Sequence, residues 1–204
     1  MPENHFGEVV AARYDGDLAE MFEASAVEPA VEFLAELAGE IEVAIGDFAT
    51  TRVEGRFTLV YLVYNTINNL VSLDEQVACF RNAAAHLAPG GRFVIEVTVP
   101  QLRRLAPGES VFVFHMSQSH LGLNELDPVT QRMVSHHYRR GEDGKFELRS
   151  IPFRYVWPSE LDLMARLAGM TLVGRWDGWS REPFTAESTS HVSVWQKPDD
   201  PAPA

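Results

Sequence analysis

Residues 57–99 read FTLVYLVYNTINNLVSLDEQVACFRNAAAHLAPGGRFVIEVTV, and the fold turns on them. Leu59 to Tyr64 are continuously apolar or aromatic and rich in strand-forming types, the pattern of a parallel strand covered on both faces. Ser72, with Glu75 three positions on, has the capping-box spacing and opens a helix whose Val77, Phe80, Ala84 and Leu87 share an inward face. Ala-Pro-Gly-Gly at 88–91 reads as the end of that helix, and GRFVIEVTV as the next strand. Strand, capped helix and strand make a βαβ unit with an expected right-handed crossover.

Outward from this unit, PAVEFLAELAG (29–39) has Ala30, Phe33, Leu34 and Leu37 on one face, Pro29 suited to the first helical position and Gly39 to the position past the end. ARYDGDLAEMFEAS (12–25) is a shorter helix pattern. IEVAIG (41–46) reads as a strand. Beyond Pro100, SVFVFHMSQS, TQRMVSHHYRR and KFELRSIPFRYVW are strand patterns separated by turn residues such as GEDGK, which predicts an antiparallel addition or lid. Ser159 and Asp162 frame a further helix start, with Leu161, Met164, Ala165 and Ala168 inward and Gly169 at its end. TLVGRW and SHVSVWQK read as closing strands and DDPAPA as a loose tail.

With 204 residues, 46% hydrophobic and 23% charged, the composition is that of a globular protein, and one domain is expected. Its divisions are N-terminal helices (1–39), a partial core (40–99), the antiparallel addition (100–157), closing helix and strands (158–197) and tail (198–204). The formal charge of −12 disfavours a nucleic-acid partner, since a phosphate backbone is repelled. No apolar stretch has the length of a membrane span, and MPENHFGEVV lacks the features of a signal peptide, so a cytoplasmic protein with no membrane partner is expected. Cys79 is the only cysteine, which excludes an internal disulfide; in its helical pattern it reads as a small semi-buried side chain.

The order of elements, with RYDGDLAEMF, GDFATTRVEGRFTLVYLVYNTINNL, DEQVACFRNAAAHLAPGGRFVIEV, FRYVWPSELDLMARLAGMTL and HVSVWQKP, resembles the class I S-adenosylmethionine-dependent methyltransferase family, small-molecule type. The resemblance implies an α/β, reduced Rossmann-like fold: a mostly parallel sheet with antiparallel strands in the C-terminal half. Members ordinarily carry a GxGxG-type loop after the first strand and an acid at the end of the second, where backbone approach and ribose hydroxyls need them. Here IEVAIGDFATT has neither, and about forty to fifty residues are missing by comparison. IEVAIG is similar to the family's first strand and GDFATT to the segment after its third, which implies one strand fused from two in a truncated core. Losing two or three charge-assisted ribose bonds of roughly 1.5 to 3 kcal/mol each would lower affinity roughly a hundredfold to more than ten-thousandfold. Weak or absent S-adenosylmethionine binding is therefore expected.

By the same resemblance Asp47 stands where the family acid meets the adenine amine; read from its own surroundings it is a turn or helix-cap residue. Asn65 and Thr66 resemble residues beside the methyl-transfer site, or else form a polar strand exit bonded to its own backbone. Tyr14 is similar to an N-terminal lid residue over the cofactor, or is a packing anchor. Methyl transfer needs a positioned neutral nucleophile and a base only where the acceptor must lose a proton. His120, His136 and His137 are the candidate bases; His136 and His137 are consecutive, so on a strand they face opposite ways. No metal site is expected, the His115/His120 spacing being no strong signature. Glu96, Tyr155 and Trp157 join Thr66 as candidate contacts to a small-molecule methyl acceptor, against a strand-end salt bridge for Glu96 and aromatic core packing for the other two. The functional expectation is a methyltransferase-like protein of doubtful activity. Its alternatives are an active enzyme with a rebuilt or intersubunit cofactor site, and a non-catalytic interaction protein or homodimer that uses an exposed sheet edge.

Overall fold

The computed structural model describes residues 24–37, 46–141 and 143–199. The chain divides into two compact units, Met1–Glu40 and Ile41–Ala204. In the first, helix α1 spans Ala24–Ala35 and buries Phe33. It starts upstream of the expected position, with Pro29 inside it rather than at its first residue. Tyr14, the helix expected upstream and the 41–45 part of IEVAIG lie outside the described residues.

The second unit holds two sheets. Strands β1 (Phe57–Leu62), β2 (Leu87–Thr98), β7 (Thr171–Asp177), β8 (Glu182–Pro183) and β9 (Ser190–Gln196) form a five-stranded sheet in the order β1-β2-β9-β7-β8. Strands β3 (Val111–Met116), β4 (His120–Asp127), β5 (Arg132–Arg140) and β6 (Phe146–Arg154) form a four-stranded meander. Helices α2 (Leu73–His86) and α3 (Pro158–Leu167) complete the unit.

The expectation of a mostly parallel sheet is corrected: among the described residues only β1 and β2 pair in parallel, and every other pairing is antiparallel. A parallel pair needs a long crossover, and residues 63–86 supply the one that joins described strands. The meander closes through short turns, and β9 enters between β2 and β7 in the opposite sense.

The βαβ unit itself forms as its sequence predicts. Ser72 Oγ accepts the Glu75 N–H at 3.2 Å, and Glu75 Oε2 accepts the Ser72 N–H at 2.9 Å. The Pro-Gly-Gly segment does something other than end the helix. α2 stops at His86 and β2 begins at Leu87 opposite Phe57, but the register resumes only at Leu59–Arg92. Residues 88–91 therefore bulge out of the ladder, with Gly90 at φ +73° and its N–H donated to the Lys197 carbonyl at 3.2 Å. Lys197 Nζ in turn donates to the Ala84 and Leu87 carbonyls at 2.9 and 2.8 Å, satisfying orphan groups at the helix end.

The cap of α3 also differs from expectation. Pro158 takes the first helical position, and Glu160 Oε2 accepts the Trp157 N–H at 2.9 Å. Asp162 is used elsewhere: it holds Arg175 of β7 at 2.7 Å and accepts Trp195 Nε1–H at 3.0 Å, tying α3 to the sheet. Leu161, Met164 and Ala165 are buried as predicted, and Gly169 at φ +76° follows the helix.

The core lies between α2, α3 and the β2/β9 surface. Phe80 meets Phe93 and Trp195 edge-on, with centroids 5.1 and 5.4 Å apart. A buried polar hub connects this core to the meander. Arg154, at the end of β6, donates to Gln76 Oε1 at 2.5 Å, Gln131 Oε1 at 2.8 Å and Glu160 Oε1 at 2.9 Å. Gln76 Nε2 returns a bond to the Arg154 carbonyl at 3.1 Å, and Gln131 Nε2 donates to Glu160 Oε2 at 2.6 Å. Burial works against the Glu160 carboxylate, but the bonds from Trp157, Gln131 and Arg154 prevail and hold its pKa below the ordinary 4.5.

These buried groups have measurable consequences for stability. Replacing Arg154 by Met leaves Glu160 without its cation and two glutamine oxygens without a donor. Urea unfolding should show a loss of about 3 kcal/mol, with a smaller loss for E160Q, which keeps an acceptor. His191 is fully buried, with Nδ1 2.8 Å from Ser193 Oγ; burial first, then the Arg175 charge, brings its pKa down from 6.5 to about 4. Between these values the unfolded chain takes a proton that the folded chain refuses. Stability present above pH 6.5 is thus lost as pH falls toward 4, by on the order of 3 kcal/mol at full extent, and H191Q should flatten this part of the profile.

Candidate functional site

The carboxyl ends of β1 and β2 meet in a corner built from sequence neighbours and one distant side chain. Tyr64 and Asn65 follow β1 with φ of 56° and 59°, two consecutive left-handed non-glycine residues. Such backbone is disfavoured and needs support. Glu96, near the end of β2, supplies much of it: its Oε2 accepts the Tyr64 N–H at 2.8 Å and its carbonyl accepts the Asn65 N–H at 3.2 Å. Asn65 Oδ1 accepts the Thr98 N–H at 2.7 Å, closing the corner from the other side. Thr66 Oγ1 donates to the Val63 carbonyl at 2.6 Å and starts the 3₁₀ turn Thr66–Asn69. Glu96 Oε1 accepts Trp179 Nε1–H at 3.1 Å, which brings the segment after β7 to the same place.

Asp47 sits in a turn pinned to α2. Its Oδ1 accepts the Ala49 N–H at 2.8 Å and its carbonyl accepts the Thr50 and Thr51 N–H groups, a side-chain-bonded turn on the protein surface. Asn82 Nδ2 donates to the Phe48 and Thr51 carbonyls, each at 2.9 Å. His86 Nδ1 lies 2.8 Å from the Asn82 carbonyl, which can only accept, while Nε2 receives the Val53 N–H at 3.1 Å; these partners fix the Nδ1–H tautomer. Cys79 lies beneath. Burial, then the Asp47 charge, pushes its thiol up to about 12, which keeps it protonated and inert at neutral pH.

The histidines stand on the meander. His136 and His137 face opposite ways, as alternation requires. His136 reaches Ser150 Oγ at 2.8 Å and Glu125 Oε2 at 3.4 Å. His137 Nδ1 lies 3.0 Å from His120 Nε2 and its Nε2 lies 3.1 Å from Ser135 Oγ, a continuous chain of hydrogen-bonding groups. The His115 ring is stacked on His120 with centroids 4.5 Å apart. Among the described residues no group of three or more His, Cys, Asp or Glu has the arrangement to hold a metal ion.

Tyr155 and Trp157 flank the polar hub at the connection from β6 to α3. Tyr155 is buried, its hydroxyl donating to the Asp127 carbonyl at 3.3 Å; burial, followed by the Asp127 and Glu160 charges, raises its pKa. The candidates thus fall into separate groups: Asn65, Thr66 and Glu96 at the corner, His120 with His137 on one face of the meander, His136 on the other, Tyr155 and Trp157 at the hub, and Asp47 in its own turn. Sequence reasoning missed Tyr64, Trp179 and Ser135. Tyr64 directly precedes Asn65, and its local signal was available; Trp179 is 83 positions from Glu96 and had none.

At the corner both Glu96 carboxylate oxygens and Asn65 Oδ1 are engaged by protein partners, and Asp47 spends one oxygen on its own turn. Glu96→Gln should distinguish the corner's two bonds: an amide offers one acceptor and sets a donor against a second N–H. E96Q should lose about 1–2 kcal/mol in urea unfolding, E96A more, with the Trp179 emission moving to longer wavelength in both.

No protein-family model matches the chain. It is similar to a cypemycin N-terminal methyltransferase from Streptomyces sp, 27% identical over 168 residues, covering 78% of this chain and 65% of that one. Among solved structures it is similar to the CcbJ methyltransferase from Streptomyces caelestis, with a TM-score of 0.67 and 36% identity over 76% of this chain and 62% of that one. A S-adenosylmethionine-dependent methyltransferase from Clostridium acetobutylicum shares the fold at a TM-score of 0.62 and 14% identity, covering 85% of this chain and 70% of that one. The chain thus spans somewhat under two thirds of the length of the first two. It has a class I S-adenosylmethionine-dependent methyltransferase-like fold and is related to small-molecule methyltransferases. No helix among the described residues is long and apolar enough to cross a membrane.

Proposed function

We propose that this chain is a methyltransferase-like protein whose S-adenosylmethionine site is incomplete within a single copy, so that the cofactor binds weakly and activity is low or absent. The observation that carries the reading is the corner at the ends of β1 and β2. Glu96 has both carboxylate oxygens engaged, and Asn65 Oδ1 bonds the Thr98 N–H. A site of full strength would need ribose and backbone contacts, and the GEIEVAIGDFATT segment has neither the Gly-x-Gly loop nor the following acid that provide them in the resembled family. Asp47 remains the residue for the adenine edge, with Asn65 beside the cofactor and Tyr14 over it. One hydrogen bond from Asp47 is worth about 1.5–3 kcal/mol and does not replace the missing set.

Where an acceptor binds, Thr66, Glu96, Tyr155 and Trp157 are the proposed contacts, and His120, His136 and His137 the proposed bases. The similarity to a cypemycin N-terminal methyltransferase favours an amine as acceptor. In such a reaction the neutral amine is the nucleophile, and a base is needed only to keep it deprotonated. A second reading is a cofactor site completed by another copy, or an interaction protein; it is favoured by the exposed apolar side chains of the meander, Met116 and Leu148 among them.

Titration calorimetry of the full chain with S-adenosylmethionine tests the proposal. We expect binding weaker than about 100 μM, further weakened by D47A; one-to-one binding at about 1 μM or tighter overturns it.

A further inference from the structure

The four-stranded meander has two unlike faces, and register assigns its residues to them. Met116 pairs with Leu121, Leu121 with Tyr138 and Tyr138 with Leu148, so one apolar row crosses all four strands. Val111 and Val113 of β3 stand on that same face, paired with Glu125 and Leu123. Met116 is 80% exposed, Leu148 54% and Val113 46%, so both ends of the row and its flank are open to solvent, while Leu121 and Tyr138 between them are half-buried. The opposite face carries the His120–His137–Ser135 chain together with Leu126, Met133, Ile151 and Phe153, and Leu126 there is buried. A contiguous exposed apolar face on a folded protein marks an interaction surface.

Charge selects the occupant. The chain as a whole carries −12, which opposes self-association over most of its surface. This face differs: Glu125 and Asp127 are matched by Arg132 and Arg140, two carboxylates against two guanidiniums, with His136 beside Glu125 at 3.4 Å. Glu125 and Asp127 lie at one end of the strands and Arg140 at the other, because β5 runs antiparallel to β4. A two-fold axis between two such faces, perpendicular to the strands, exchanges the ends. With the axis at the level of His137, midway between Arg140 and Val134, it brings Arg140 of one copy to the level of Glu125 of the other and lays the Met116–Leu148 row of each copy against the adjacent row, which carries Val113 and Leu123, of the other. Four strands about 4.8 Å apart and roughly 25–30 Å long give a footprint of roughly 500 Å² per copy before side-chain relief is counted, which approaches the lower end of stable interfaces.

We propose that this face of the meander docks on the same face of a second copy of this chain, with the Met116–Leu148 row and the adjacent Val113 and Leu123 at its centre and Arg140–Glu125 ion pairs at its two ends. The proposal stands apart from cofactor binding, and its test needs no substrate.

Sedimentation velocity of the full chain from about 1 to 200 μM, with circular dichroism to verify that each variant is folded, gives the test. The native chain should dimerise in that range, and L148E should be monomeric. R140E and E125R should each weaken dimerisation about tenfold or more, and the double variant should return to within about threefold of the native chain. Glu125 pairs with Val134, six positions from Arg140 along β5, roughly 20 Å away, so the two cannot compensate within one copy. A native chain that stays monomeric throughout, or a double variant as weak as the singles, overturns the proposal.

Discussion

The arrangement of the second unit depends on one buried cation. Arg154 ends β6 inside the protein, where its guanidinium is met by Gln76 from α2, Gln131 from the β4–β5 turn and Glu160 from α3. Desolvating a charge of either sign is expensive, and an apolar cluster of equal volume would often serve stability as well. What the ionic hub adds is direction. A planar guanidinium with partners on three elements accepts one placement of the meander against the helices, whereas hydrophobic surfaces tolerate sliding. Gln76 strengthens this by donating to the Ile67, Leu70 and Arg154 carbonyls, so the 3₁₀ turn after the corner is fixed by the same group. The hub thus joins the fold to the candidate site through Ile67 and Leu70, one turn from Asn65.

What could be read from the sequence was what is local. The β1-α2-β2 unit was legible because the capping box of Ser72 and Glu75, the apolar face of α2 and the continuous apolar strand each lie within a few residues. The sense of the remaining strands was not. A strand such as SHVSVWQK carries the same apolar pattern whichever way it enters a sheet, and the placement of β9 beside β2 is set by partners about a hundred residues away, such as Trp195 on Phe93. The resemblance to a parallel-sheet family then filled the gap with strands for which the described chain provides one crossover. Similarly, Asp162 looked like a helix-start residue because only its helix was in view, while its partners Arg175 and Trp195 lie 13 and 33 positions on.

The candidate site shows the same division. Asn65 and Thr66 could be picked out at the end of a predicted strand, and the structure places them at a strained corner. The role of Glu96 could not be read, because its two bonds reach Tyr64 and Trp179, 32 and 83 positions away. A carboxylate breaking an apolar strand invites a reading as a substrate contact or a strand-end salt bridge. Its oxygens meet a left-handed backbone N–H and an indole N–H, bonds that no local pattern announces. For the histidines, alternation along the strand separated His136 from His137 in advance, but only pairing register could bring His120 to His137, since 17 positions and a turn lie between them.

The two faces of the meander extend this reasoning from the strand to the molecule. Period-two alternation on β4 and β5 sends His120, Ser135 and His137 to one side and Leu121, His136 and Tyr138 to the other. A sheet packed against a body on one side and water on the other would be expected to turn its apolar residues inward and its polar ones outward. This meander does turn Leu126, Met133, Ile151 and Phe153 to the face of the imidazole chain, and still leaves apolar side chains such as Met116 and Leu148 exposed on the other. Edge strands and exposed apolar faces are usually blunted by charge, and a chain with 29 acidic residues has ample means to do so. The acids are instead confined to one side of the row and balanced by arginines, including Arg140 on its other side, a distribution suited to two-fold self-recognition.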